Sequence, residues 1–436
     1  MGLTQQNWEI SDRHLWHPYT QMKTAPAPLP IVRAKGAMLY TADGREILDG
    51  VSSWWVNIHG HSHPYLNEAL AQQANELEHV MFAGFTHRPA VELAERLAGV
   101  LPHGLERIFY SDNGSTAVEV AMKMALQYWS NLGEPKRTQF IALKHAYHGD
   151  TVGAMSASSP SLFTAPFSPF LFSVLRAPVD LSEDSETRSL LCLQAMENLL
   201  KSQGDTIAGV LIEPMLQGAG GMIVWPSSFV RGVRELCNRY GVLFIADEVL
   251  TGFGRTGAMF ACNHAGVSPD IICLSKGLTA GYMPMGVTAC TGSIYEAFLS
   301  DDRRKTFFHG HSFTANPLAC AVALASLDLF SREGTLDRVK RIEAKFQTEL
   351  PRFAAMDRVA DARTIGGVFI LDLQEEAGGG YLDANGPKLA REFLRRGLLL
   401  RPLGNVLYFM PPYCVSDEQV AWAFAKMEEV LTEWVA

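Results

Sequence analysis

Short apolar runs alternate with stretches of helical periodicity through the middle of this chain, and that alternation limits the fold more than any other feature. The runs are RIFYS at 107–111, QFIAL at 139–143, IAGVLI at 207–212, VLFIA at 242–246 and IICL at 271–274. Most are continuously apolar and rich in β-branched residues. A strand of that kind is buried on both faces, which happens in parallel sheets covered by helices. Helical periodicity falls at 66–80, 89–101, 117–129, 229–240 and 316–330, between and around the runs. The pattern predicts an α/β fold with a mostly parallel central sheet.

The two ends differ. The first sixty or so residues are aromatic-rich and read as irregular, and Pro26, Pro28 and Pro30 forbid a helix there. Beyond 330 a charged helix is expected at 335–353, strands at 368–373, 398–401 and 406–410, and a last helix at 417–434. Gly378, Gly379 and Gly380 mark a loop between them. At 436 residues the chain exceeds one ordinary core. Three parts are expected: an N-terminal segment 1–63, a large unit 64–330, and a C-terminal α+β unit 331–436.

Charge and cysteines remove several classes of function. A net charge of −9 provides no basic field for a phosphate backbone, so no nucleic-acid partner is expected. No apolar run is long enough to span a bilayer, and the start, MGLTQQNWEI, lacks a leader's basic-then-apolar pattern. Gln6 stands where a myristoylation signal would carry Ser or Thr. The seven cysteines are scattered and form no CxxC pair, as buried thiols of a reducing cytoplasm do. His59, His61 and His63 lack a neighbouring acidic or cysteine ligand, and no metal is expected there.

Three polar signals sit where the apolar runs end. Asp112-Asn113-Gly114-Ser115-Thr116 opens the helix at 117, and a helix start with free N–H groups and a partial positive charge accepts a phosphate, though a capped helix start alone would look the same. Asp247 follows VLFIA, and Lys276 follows the run ending in Leu274. Ligands gather at the carboxyl ends of parallel strands. A lysine in apolar surroundings loses affinity for its proton and can attack a carbonyl. A carboxylate ~2.8 Å from a ring nitrogen, at an effective dielectric of ~20, favours the protonated ring by roughly 6 kcal/mol. Amine, carboxylate and phosphate cradle are together what pyridoxal phosphate requires. Tyr147, in YHGDT, offers a ring to lay against a flat cofactor. Ser312 or Thr314 offers a further phosphate contact. Arg401 and Arg255 are cations able to receive an acidic substrate.

These segments, NGS at 113–115, YHGDT at 147–151, IADEVLTGFGRTG at 245–257, SKG at 275–277 and HGHSFTANPLAC at 309–320, resemble the class III aminotransferases of pyridoxal phosphate fold type I. LWHPYTQM at 15–22, DGVSSWWVNIHGHSHP at 49–64, EPMLQGAGGM at 213–222 and RPLGNVLYFMPPY at 401–413 resemble the biotin-pathway branch of that family. The resemblance implies a smaller α+β lobe built from both chain ends, and a cytoplasmic homodimer with shared active sites. It makes Lys276 the cofactor-bonding lysine and proton shuttle, Asp247 the ring-nitrogen partner and Tyr147 the stacking aromatic. Gly114 and Ser115 would hold the phosphate, with Ser312 supplied by the other subunit. Tyr19 would join Lys276 and Asp247 as a catalytic side chain. Trp54, Tyr147, Arg255, Lys276 and Arg401 would meet substrate, with Arg401 on the acceptor's carboxylate. The implied acceptor is 8-amino-7-oxononanoate and the favoured donor S-adenosylmethionine. The HGHS at 309–312 also occurs in relatives that use lysine, whereas those tend to replace Tyr19 by phenylalanine.

Overall fold

The computed structural model describes residues 14–374 and 385–433. Its centre is a seven-stranded sheet of β4 (Leu105–Ser111), β5 (Gln139–Leu143), β6 (Leu175–Ala177), β7 (Ile207–Ile212), β10 (Leu243–Asp247), β11 (Ile271–Leu274) and β12 (Gly286–Thr291), in spatial order β4-β12-β11-β10-β7-β5-β6. Two further strands, β8 (Leu216–Gln217) and β9 (Ile223–Val224), form a separate hairpin. The five apolar runs all lie in the central sheet. Strands β7, β10 and β11 are buried along their whole length, which is why their sequences show no alternation.

Two strands of this sheet escape sequence reading. β12 lies antiparallel to both neighbours, β11 and β4, and is the one reversed strand of the seven. Its GVTACT carries small and polar residues, because Thr288 donates to Ala117 O and Gly286 passes too close to Asn113 for any side chain. β6 has only three residues, too few for periodicity.

The helix expected at 66–80 is Pro64–Glu76, ending where Leu77 turns extended. The helix expected at 117–129 runs Gly114–Asn131, started by Asn113, which exchanges capping bonds with Thr116. A helix at Ser185–Gln203, capped by Asp184, has no expected counterpart; its weak amphipathicity conceals it.

The irregular reading of the N-terminal sixty residues needs correction. β1 (Ile31–Lys35), β2 (Met38–Thr41) and β3 (Glu46–Asp49) form an antiparallel meander, and β3 pairs in parallel with β15 (Leu398–Leu399). Much of β1 is exposed, so it lacks the apolar signature of a core strand. The strand expected at 398–401 stops at Leu399, two residues short of Arg401-Pro402. β13 (Val359–Ile365), β14 (Val368–Leu373) and β16 (Val406–Phe409) make a second small sheet. Helices Thr335–Ala354 and Asp417–Glu433 cover it through Phe346, Phe353, Phe369, Phe409 and Phe424. Both chain ends therefore contribute to a smaller α+β lobe beside the α/β sheet. Gly378, Gly379, Gly380 and Trp434 lie outside the described residues.

Candidate active site

Strand order brings the carboxyl ends of β7, β10 and β11 side by side, and an ionisable residue stands at or within two residues of each end. These are Glu213, Asp247 and Lys276. Asp247 is buried and held from two sides. Its Oδ2 lies 2.7 Å from His148 Nδ1, and its Oδ1 accepts from Val249 N at 3.1 Å. Lys276 sits at a left-handed backbone position, φ +44°. Burial lowers its ammonium pKa to about 8, although the negative charges of Asp247 and Glu213 oppose the shift. Its Nζ lies 4.7 Å from the centre of the Trp55 ring.

Glu213 is buried and accepts Tyr147 N at 3.1 Å and Gly218 N at 2.9 Å. Burial raises its carboxyl to about 7, with Asp247 adding to the shift and His148 and the two N–H groups opposing it. Sequence reading missed Glu213 and His148. The strand-end rule that found Asp247 and Lys276 applies equally to Glu213, which follows IAGVLI.

Gly114 and Ser115 open the helix that starts beside β4. Ser115 Oγ is 2.7 Å from Thr151 Oγ1 and accepts from Thr151 N at 3.0 Å. A side chain at Gly149 would collide with Ser115, and one at Gly114 would collide with Val249. The cradle is thus open at the helix start because two glycines keep it so.

A cavity of about 1470 Å³ opens above these strand ends, lined among others by Tyr19, Trp54, Trp55, Tyr147, Asp150, Lys276 and Arg401. Tyr19 donates to Asp150 Oδ2, and its hydroxyl is 3.4 Å from that of Tyr147. Burial, Tyr19 and Asp150 together push the Tyr147 phenol well above its usual range. The Arg401 guanidinium lies 4.0 Å from the Trp54 ring centre and 5.9 Å from that of Tyr19, and it has no carboxylate partner among the described residues. An arginine stacked on aromatic rings with its charge unpaired is ready for a ligand carboxylate. Asp150, within YHGDT, carries no sequence signal that marks it as a partner of Tyr19.

Two expected substrate or cofactor residues lie elsewhere in this subunit. Arg255 is fully buried and not among the residues lining the cavity, 4.8 Å from the Tyr413 ring, with its Nη atoms 3.4 Å from Pro411 O and Ser52 Oγ. Burial lowers its pKa. Ser312 is exposed on the turn before the helix Pro317–Arg332, outside the cavity. The three histidines of 59–63 go to three different partners: Ser326 O, Asp49 and Glu333.

The tryptophans reach the cavity by an unusual backbone path. Ser52, Ser53, Trp54 and Trp55 all have left-handed φ values of +47°, +44°, +72° and +73°. For L-residues this region costs roughly 1–2 kcal/mol each, so the surroundings must impose it.

A helix-start cradle, a strand-end carboxylate, an amine of lowered pKa and an aromatic ring fit pyridoxal phosphate. The class III aminotransferase family model matches residues 19–431. The chain belongs to the class III aminotransferases. Among curated relatives of this class III enzyme, a Synechococcus elongatus adenosylmethionine-8-amino-7-oxononanoate aminotransferase is 50% identical, over 97% of this chain and 99% of its own. One of the same name from Geobacter sulfurreducens is 44% identical over 98% and 97%. The crystal structure of the Methanocaldococcus jannaschii protein of that name superposes with a TM-score of 0.94, at 36% identity, covering 99% of this chain and 100% of that one. A pyridoxal phosphate-bound amine transaminase from an uncultivated Pseudomonas species gives a TM-score of 0.90 at 33% identity, covering 96% and 98%. As a class III aminotransferase the chain is a pyridoxal phosphate enzyme of fold type I.

Proposed function

We propose that this aminotransferase converts 8-amino-7-oxononanoate to 7,8-diaminononanoate in biotin biosynthesis, taking the amine from S-adenosylmethionine. The observation that carries the reading is full-length identity of up to 50% to relatives bearing that name, joined to a cavity where Arg401 lies on Trp54 with no carboxylate partner among the described residues. A long keto acid needs apolar walls for its chain and a cation at its far end, and Trp54, Tyr19 and Arg401 supply both.

When bound, pyridoxal phosphate supplies the aldehyde that accepts the amine and a ring that withdraws electrons. Gly114 and Ser115 would hold the phosphate at the helix start, with Ser312 of the partner subunit adding to it in a homodimer. Tyr147 would offer its ring to the flat face of the cofactor and meet substrate. Asp247 would hold the ring nitrogen in its protonated form. Lys276, with a pKa near 8, gives up and takes back a proton at Nζ close to neutrality, the pH range in which a general base works best. Tyr19, tied to Asp150 and Tyr147, orients the reacting end. Arg255, a buried cation whose charge acts on Lys276, assists the donor. Residues 64–330 form the cofactor unit, with 1–63 and 331–436 the smaller lobe, a division supported by the β3–β15 pairing. The enzyme works in the cytoplasm.

Lysine is the second donor reading, favoured by His309-Gly310-His311-Ser312. Holoenzyme mixed with S-adenosylmethionine or with lysine, without acceptor, decides the donor. The expected result is loss of the cofactor's visible absorbance with S-adenosylmethionine alone; loss with lysine alone overturns the first reading. Later addition of 8-amino-7-oxononanoate should restore the absorbance, and failure to do so overturns the acceptor.

A further inference from the structure

Four consecutive residues with positive φ, none of them glycine, are the most strained stretch of backbone in this site, and one carboxylate accounts for how they are held. Asp49 has no solvent exposure. Its Oδ1 accepts Val51 N at 3.2 Å and Ser53 N at 2.9 Å. Its Oδ2 accepts Ser53 Oγ at 2.7 Å and lies 2.8 Å from His61 Nε2.

The ring of His61 is oriented in its turn. Asn57 Oδ1 is committed to Gly60 N at 2.8 Å, which leaves Asn57 Nδ2 to donate to His61 Nδ1 at 3.0 Å. The proton of a neutral His61 is therefore on Nε2, pointing at Asp49. On the far side of the turn Val56 N and Asn57 N both close on Ser52 O at 3.0 Å. Ser52 Oγ donates to Met410 O at 2.7 Å.

The two side chains this turn presents are functional in position. Trp54 lies against Arg401 at 4.0 Å, and Trp55 faces Lys276 Nζ at 4.7 Å while its Nε1 donates to Tyr408 OH at 3.0 Å. Relaxing residues 52–54 to right-handed geometry would swing Trp54 off the guanidinium. Trp55 would be held back by its bond to Tyr408.

We propose that Asp49 is a positioning residue for substrate binding: it holds the left-handed turn 52–55, and through it the Trp54 face on which Arg401 lies. The proposal rests on the aminotransferase reading of the Lys276 site. Asp49 is not among the residues lining the cavity, and its effect passes through the backbone N–H and the hydroxyl of Ser53.

The test compares holoenzyme carrying Asp49→Ala, Ser53→Gly, both together, and Ser53→Ala. Glycine adopts positive φ freely, so Ser53→Gly should make the turn less dependent on Asp49. Asp49→Ala should raise the KM for 8-amino-7-oxononanoate, and its calorimetric Kd for the unreacted holoenzyme, at least tenfold, while kcat falls less than threefold. Amide exchange at 51–56 should quicken. Adding Ser53→Gly to Asp49→Ala should recover most of the lost affinity. Wild-type KM and Kd in a folded Asp49→Ala protein, or a loss that glycine does not restore, overturns the proposal. If Asp49→Ala does not fold, Ser53→Ala decides: a KM raised more than kcat is lowered supports the clamp, and unchanged KM overturns it. If wild-type holoenzyme itself fails to bind the keto acid, the substrate reading has failed. Exchange at 51–56 and its reversal by glycine then judge the clamp without any substrate.

Discussion

His148 Nδ1 and Asp247 Oδ2 are 2.7 Å apart, both buried, and this pair fixes the direction in which the strand-end carboxylate can act. With Oδ1 taken by Val249 N, each carboxylate oxygen has one protein donor and one side left for a ring nitrogen. His148 Nε2 is buried and has no hydrogen-bond partner among the described residues, so the bond from Nδ1 to Asp247 is what orients the imidazole. Removing a hydrogen bond to a charged group costs about 1.5–3 kcal/mol. His148→Ala should therefore slow the donor half-reaction about 10- to 100-fold, read by stopped-flow absorbance. Asp247→Ala should slow it further while leaving cofactor affinity less affected. A normal rate in either variant removes the ring-nitrogen role.

Lys276→Ala should abolish turnover while the protein keeps its melting temperature and still binds the cofactor non-covalently. In the cofactor-free protein, the rate of Lys276 capture by a small aldehyde followed by borohydride should rise with pH, with a midpoint near 8. A midpoint near the ordinary lysine value of 10.5 contradicts the burial argument.

Arg401→Ala should raise the KM for the keto acid by about 10- to 100-fold, the range of a lost charge-assisted bond. Steady-state kinetics with each substrate varied in turn checks this, and a loss confined to the donor would reassign the cation. Trp54→Ala should weaken the same substrate at least tenfold but less than Arg401→Ala, because the ring supports Arg401 without contacting the carboxylate.

Glu213 gives a pH signature in stability. Its carboxyl is raised from 4.5 to about 7 by burial, with Asp247 adding to it, so folding favours the protonated form. The stability this group allows is fully present below about pH 4.5 and is lost as pH rises through about 7. The shift corresponds to roughly 3 kcal/mol. Glu213→Gln removes that pH dependence, so denaturant titrations of the cofactor-free protein should show the variant gaining on wild type by up to roughly that amount between pH 5 and pH 8. Parallel curves at both pH values would show that Glu213 does not titrate there.

Much of the α/β core was legible because burial on both faces leaves a direct compositional trace. IAGVLI, VLFIA and IICL are strands over nearly the expected residues, and Asp247 after VLFIA and Lys276 after IICL are legible as a pair once the helix-start cradle stands beside them. Glu213 has the same position, yet its carboxylate carries no motif of its own. β12 was invisible because close packing against Asn113 and Ala117 replaced its large apolar residues with Gly and Thr. The meander at 31–49 was missed since an exposed edge strand need not be apolar.

By itself the sequence determined the fold class, the cofactor chemistry and the family, because strand burial, helix starts and strand-end charges are local consequences of residue order. Only the tertiary structure decided how the cavity is walled. Trp54 meets Arg401 across 347 positions of chain, and Tyr19 meets Asp150 across 131. The left-handed turn that aims the tryptophans is likewise beyond sequence reading. Nothing in Ser-Ser-Trp-Trp favours positive φ, and the conformation exists because Asp49, His61 and Met410 close around it.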